Sequence, residues 1–406
     1  MKHTMKKLLV LVLAMMLALG AVSTAFAANA PTDVEAWLSK TYNAEKGHAF
    51  DFVFTATQDT TTEGYNHTPV ALTIGNISFT EGETGTTKKV SKLNFADFTQ
   101  AGVYRYTVKE TGVAQSFQDS EHEKLIMSKA EYEVLVYVQQ VKNGGIDIGI
   151  NDNWEGNHGM ELESLYSSND PADYKIVSIV VNQIKNDAGE DVLDGGKVDI
   201  GKDPNTNGFK FENTYVYEAG FGPDPEQPDP EYNTNGSLRV SKAVVNQNKA
   251  AAEFNFTATF TFPAGTNQST LGGVKANGNP ITLDGGNTYT FKLQDAQNIK
   301  FTNMPVGTTF TLVEAGAPNY LGSAKTTIDT QVTNEQAAAY GEDLTVSAKK
   351  LSVKSNTVDV TNTFMNTPPM GVMLNMLPYV LMFVIGGAAL MMFIVFKNRR
   401  NNAEEE

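Results

Sequence analysis

The chain has 406 residues, enough for two or three domains with sizeable cores, and its 31 basic side chains are outnumbered by 46 acidic ones, a formal net charge of −15. That balance argues against a nucleic-acid partner, whose phosphates would repel it, and suits a solvated extracellular surface. There is no cysteine, so an exported domain here has no disulfide staple and needs a large core or another crosslink.

Residues 1–27 read as a secretory signal peptide. Lys2, Lys6 and Lys7 precede an apolar run over 8–19, and Ala25-Phe26-Ala27 supplies the small-x-small cleavage site, so the mature chain begins at Ala28. An extended backbone then places Ala36, Leu38, Lys40 and Tyr42 on one face, which aims Lys40 where apolar neighbours point. Phe50, Phe52 and Phe54 alternate inward, and β-type runs follow over 104–109, 132–141 and 174–181, separated by Gly, Asn and Asp. The run over 209–215 sends Phe209, Phe211, Asn213 and Tyr215 to one face. A buried amide costs about 1–3 kcal/mol unless it finds partners, so Asn213 needs a reason to be there. Short strands with such turns predict a β-sandwich over 28–218.

Proline and acid dominate 219–236, which reads as a stiff, extended linker. A second β-rich segment over 237–365 repeats the landmarks of the first in the same order. Lys40 in Leu-Ser-Lys corresponds to Lys242 in Val-Ser-Lys, and Phe50-x-Phe52 to Phe254-x-Phe256. Tyr106-Thr-Val-Lys-Glu110 corresponds to Phe310-Thr-Leu-Val-Glu314, and Phe211-Glu-Asn213-Thr-Tyr215 to Val360-Thr-Asn362-Thr-Phe364. The expected fold class is all-β, with two tandem Ig-like sandwich domains. After a juxtamembrane segment at 366–376, residues 377–396 are apolar and long enough to span a bilayer, with Pro378 in the first turn. Lys397, Arg399 and Arg400 follow at once, the mark of a stop-transfer helix with its 397–406 tail in the cytoplasm.

In both copies, alternation aims three polar residues at the core: Lys40, Glu110 and Asn213, then Lys242, Glu314 and Asn362. Burial lowers the pKa of Lys and raises that of Glu, so a desolvated trio can hold a neutral amine beside a neutral acid. Those states favour attack of the amine on the Asn amide, forming an intramolecular isopeptide bond, with Glu protonating the amide oxygen and relaying protons as ammonia leaves. Folding supplies the proximity, and no cofactor is required. The bland alternative is a buried Lys–Glu salt bridge beside a hydrogen-bonded Asn. Lys46 lies close enough in sequence to compete with Lys40.

These motifs resemble the streptococcal pilin isopeptide linkage domain over the first segment and a related CnaB-type domain over the second. The resemblance implies a Gram-positive major pilin or pilin-like protein of the cell surface, anchored to membrane or cell wall. Glu110 and Glu314 would be the catalytic acids, and Lys40–Asn213 and Lys242–Asn362 the crosslinked pairs. It also implies a sortase that cuts an L-P-x-T-G-like motif; the corresponding stretch is Thr367, Pro368, Pro369, Met370 and Gly371, with Met370 where the family has the scissile Thr and Thr367 where it has Leu. Polymerisation with other pilin subunits would need an acceptor lysine, for which Lys185, Lys197, Lys202 and Lys210 are the first-domain candidates.

Asp203, Asn205, Asn207 and Gly208 match the start of a calcium loop, but Thr214 stands where the bidentate Glu belongs, so a plain turn is expected and no metal. Five His without paired spacing, no Gly-x-Ser-x-Gly and no phosphate loop leave no machinery for turning over an external substrate. Two roles remain: a structural pilus subunit, or a singly anchored adhesin that meets a host ligand through the loop over 152–160 and its Trp154.

Overall fold

The computed structural model describes residues 34–141, 173–193, 196–246, 252–365 and 370–403. The signal peptide at 1–27, the loop at 152–160 with Trp154, the residues Thr367, Pro368 and Pro369, and the last three residues of the tail lie outside them. The first ten strands are β1 (Trp37–Ala44), β2 (Phe50–Gln58), β3 (Leu72–Ile74), β4 (Ile77–Phe79), β5 (Gly85–Phe95), β6 (Gly102–Val113), β7 (Glu123–Ile126), β8 (Glu131–Val141), β9 (Asp173–Lys185) and β10 (Lys210–Tyr217). They form two five-stranded sheets, ordered β3-β5-β1-β10-β7 and β4-β2-β6-β8-β9.

A short helix, α1 (Tyr232–Asn235), leads into the second set. Its strands are β11 (Leu238–Val245), β12 (Phe254–Thr261), β13 (Lys275–Ala276), β14 (Asn279–Pro280), β15 (Thr288–Leu293), β16 (Asn298–Thr302), β17 (Thr309–Glu314), β18 (Tyr320–Ile328), β19 (Gln331–Gln336), β20 (Leu344–Lys350) and β21 (Asn356–Phe364). Here too there are two sheets, ordered β14-β13-β16-β11-β21-β18-β19 and β15-β12-β17-β20. The protein is all-β with tandem domains.

Alternation decides which side chains face inward. Phe50, Phe52 and Phe54 of β2 and Tyr104, Tyr106 and Val108 of β6 are buried, and the Tyr42 ring packs on Phe50, Phe52 and Phe79. Each such side chain contributes roughly 1.5–3 kcal/mol by leaving water. β1 departs from the simple pattern, because Ser39, Thr41 and Asn43 on its other face are buried as well. At the ends of β1 and β10 that outer face is covered by the second domain, where Gly265 lies so close to Thr214 that a Cβ on it would stand 2.0 Å from Oγ1.

In each domain the first and last strands are direct neighbours and run parallel. Lys40 stands opposite Phe211 and Tyr42 opposite Asn213; Lys242 stands opposite Val360 and Val244 opposite Asn362. Lys and Asn are therefore diagonal neighbours in both domains, two residues apart in register. Glu110 and Glu314 come from the facing sheets, where they pair with Phe54 and Phe256. The alignment of aromatic residues made from the sequence needs correcting by two positions: Phe52 and Phe54, rather than Phe50 and Phe52, occupy the places of Phe254 and Phe256. β6 carries one extra residue between Gly112 and Glu110 in this pairing, a bulge that sets the direction in which Glu110 points.

The stretch at 219–236 is not the extended linker that its proline and acid suggest. It folds back on itself, with Asp229 donating its N–H to Phe221, and docks on the second domain through Ala219 to Met304 and Gly222 to Val353. Phe221 is buried, and its ring meets Tyr232 and His122, so two aromatic residues outweigh the polar composition. Gly220 (φ 77°) makes the crossing possible, since a Cβ there would sit 2.1 Å from the carbonyl of Gly236.

The last helix, α2 (Met370–Ala403), includes a span, Pro378–Lys397, long and apolar enough to cross a membrane and without burial against the rest of the chain. It begins seven residues before the expected start, because the Met- and Leu-rich sequence preceding Pro378 favours helix. Pro378 thus lies inside the helix rather than in its first turn, and Met370 and Gly371 of the expected sorting-like motif are its first two residues.

Candidate functional site

The structure brings each predicted trio together in the interior between its two sheets. In the first domain Lys40 Nζ donates to both carboxylate oxygens of Glu110, each at 2.9 Å, and Asn213 Nδ2 donates to Oε1 at 2.8 Å. The side chains of Lys40 and Glu110 have no solvent exposure. In the second domain Lys242 Nζ donates to Glu314 Oε1 at 2.8 Å, and Asn362 Nδ2 to the same oxygen at 2.7 Å. One glutamate oxygen thus bridges the amine and the amide nitrogen in both domains.

Aromatic rings keep water from the amines: Lys40 Nζ lies 4.3 Å from the centre of the Phe52 ring, and Lys242 Nζ 4.2 Å from that of Phe254. Burial pushes the Lys40 amine down to about 8, against the pull of the Glu110 charge, and Lys242 is likewise lowered to about 8 against Glu314. Burial also raises the carboxyls of Glu110 and Glu314, with the lysine charges opposing. Both members of each pair are displaced toward their neutral forms.

The orientation of the first amide differs from expectation. Ser128, between β7 and β8, donates its backbone N–H to Asn213 Oδ1 at 2.7 Å. A backbone N–H can only donate, so the oxygen is held at Ser128 and the nitrogen turns to Glu110. Glu110 therefore meets the amide nitrogen of Asn213, whereas the expected protonation of the amide oxygen would place it at Oδ1. In the second domain Asn362 Oδ1 and Glu314 Oε2 are buried and have no hydrogen-bond partner among the described residues.

Lys46 does not compete for the site. Its Nζ lies 3.8 Å from the centre of the Tyr217 ring, where burial lowers its pKa. Among the acceptor candidates, Lys185 pairs with Glu131 at 3.4 Å, Lys202 lies beside the Trp37 ring, Lys210 approaches Glu212 at 4.0 Å, and the backbone of Lys197 pairs with that of Asn182 in an isolated antiparallel bridge. Asp203 accepts the Asn205 N–H at 2.9 Å, closing the expected turn. No group of three His, Asp or Glu among the described residues could hold a metal.

A further buried carboxylate had no sequence signal. Glu218, at the end of the first domain, accepts from Tyr232 Oη (2.7 Å), Ser237 Oγ (2.8 Å) and the Asn303 N–H (2.6 Å), and meets His122 Nδ1 at 2.7 Å. Its partners come from the first domain, the connector and the second domain. Only their folding together reveals it, as with Ser128.

A family model described as a domain of unknown function, DUF7601, matches residues 236–366, the second domain. No curated protein matches the chain. Solved structures to which it is similar include the major pilin of Streptococcus pyogenes, 18% identical, covering 82% of this chain and 99% of that one at a TM-score of 0.28. Another is a pilus-presented adhesin, 11% identical, covering 82% and 99% at a TM-score of 0.24.

Proposed function

We propose that the chain is a structural, pilin-type protein of the cell surface, held by its C-terminal helix, in which each sandwich domain is closed by a self-formed Lys–Asn isopeptide bond. The observation that carries this reading is the shared glutamate oxygen. Glu110 Oε1 touches both the amine that must lose a proton and the amide nitrogen that must gain one, and Glu314 Oε1 does the same. The neutral amine attacks the amide carbon, the proton passes through the carboxyl to the departing nitrogen, and ammonia leaves.

A salt bridge kept for stability alone is a poorer account. Burying both charges offsets most of their attraction, and this arrangement leaves Glu314 Oε2 unpaired. The bonds would also do what disulfides do in exported domains, in a chain without cysteine.

Intact-mass measurement of the folded protein tests the reading. The expected mass is short of the sequence mass by two ammonia molecules, with one regained in Glu110→Ala and one in Glu314→Ala; an undiminished mass in folded protein would rule it out. As a pilus subunit handled by a sortase and joined to further copies through a surface lysine, the protein would run as a covalent ladder in cell-wall extracts. A lone monomer extracted by detergent would count against polymerisation.

A further inference from the structure

The geometry points to the backbone N–H of Ser128 as an oxyanion donor for the first domain's bond, with Asp187 as the residue that positions it. This rests on the trio being bond-forming. When Lys40 Nζ attacks Asn213 Cγ, the carbonyl π pair moves onto Oδ1, and among the described residues the hydrogen-bond donor at that oxygen is the Ser128 N–H, 2.7 Å away and buried. A donor aimed at developing charge in a water-free site stabilises the transition state without reorganising.

The step balances. The Nζ–Cγ bond forms, Glu110 Oε1 passes one proton from Nζ to Nδ2, the oxyanion pair restores the carbonyl, and the Cγ–Nδ2 bond breaks. One amine and one primary amide give one secondary amide and one ammonia.

Asp187 ties this donor to the electrophile. Its Oδ1 accepts from Ser128 Oγ at 2.5 Å and from the N–H of Glu212, next to Asn213, at 2.9 Å, and its carbonyl accepts the Lys129 N–H at 3.0 Å. In the second domain Asn362 Oδ1 has no such donor among the described residues. The first bond should therefore form faster than the second.

Cell-free synthesis of the full chain, quenched at intervals and digested, lets mass spectrometry follow the Lys40–Asn213 and Lys242–Asn362 linked peptides separately. Replacing Ser128 by its α-hydroxy analogue deletes only the N–H. The first bond should then form about 10²–10³-fold more slowly, as when one oxyanion donor is removed elsewhere, while the second bond, an internal clock, keeps its rate. Asp187→Ala should slow the first bond alone, and Asp187→Asn, which keeps an oxygen acceptor, should restore it. An unchanged first-bond rate in the α-hydroxy variant overturns the inference; if that variant does not fold, an unchanged rate in Asp187→Ala does so. Absence of both linked peptides from the unsubstituted chain would instead remove the reading on which it rests.

Discussion

The two domains place the same three residue types at the same register, yet they treat the amide differently. In the first, the Asn213 oxygen is held by Ser128 and both Glu110 oxygens engage Lys40; in the second, the Asn362 oxygen and Glu314 Oε2 have no hydrogen-bond partner among the described residues. The amine side of the site, by contrast, is nearly the same in both, with an aromatic ring about 4 Å from Nζ and a pKa near 8. The surroundings of the lysine are thus alike in the two domains, while those of the asparagine carbonyl differ. A difference in behaviour between the domains should thus trace to the carbonyl.

The comparison is tested most severely by removing the electrophiles. On the proposed crosslinks, Asn213→Ala and Asn362→Ala would each open one covalent loop of roughly a hundred residues or more, a loss on the order of 5 kcal/mol of chain entropy in the unfolded state. The expected result by calorimetry is a drop of about 10–20 °C in the melting of the altered domain, with the other unmoved. Similar melting in the variant and the parent would mean that no crosslink was present to lose.

A smaller effect sharpens the same contrast. In the Asn→Ala variants the lysines stay free, and the folded amine gives up its proton near 8 while the unfolded one holds it to about 10.5. Between those values the unfolded state binds more protons, so stability rises with pH, by up to about 3 kcal/mol at the top of the window. Glu110 and Glu314, raised by burial, act in the other direction at lower pH: their contribution is full below the ordinary carboxyl value and fades as pH climbs through the folded one. Urea melts at pH 7.5, 9 and 10.5 should show the same rise in both variants. Unequal rises would place the divergence in the amine side instead.

The smallest change lies between the domains. Lys350 pairs with Glu45 across the junction at 2.5 Å, but the lysine side chain is 60% exposed. Lys350→Ala should cost no more than about 1 kcal/mol and leave both linked peptides in place, which urea melts and peptide mapping would show.

Much of this was legible beforehand because strand alternation has a period of two and leaves little freedom. Lys40, Glu110 and Asn213 had to face the core once their apolar neighbours did, and the second copy repeated the pattern. What alternation cannot convey is registry between distant strands, so Phe50 was aligned where Phe52 belongs. Nor can it convey backbone donors: Ser128 acts through an N–H that every residue but proline possesses, and nothing in its side chain marks it. The connector misled for a different reason. Its prolines and acids suggest extension, but the rings of Phe221 and Tyr232 pack on each other and on His122, with Tyr217 beside Phe221, a meeting of distant residues that the local sequence does not show. Pro378 suggests a helix start because proline suits a first turn, but the Met- and Leu-rich residues before it extend the helix to Met370.

The parallel pairing of first and last strands has a mechanical consequence. With the two proposed bonds in place, a load entering at β1 would cross from Lys40 to Asn213 without passing through the eight strands between, and would cross again from Lys242 to Asn362. Between those crossings only the stretch from Asn213 to Lys242 carries the load as ordinary backbone. Under load that stretch would yield first, and what resists its opening is the grip of Glu218 on donors from the connector and the second domain.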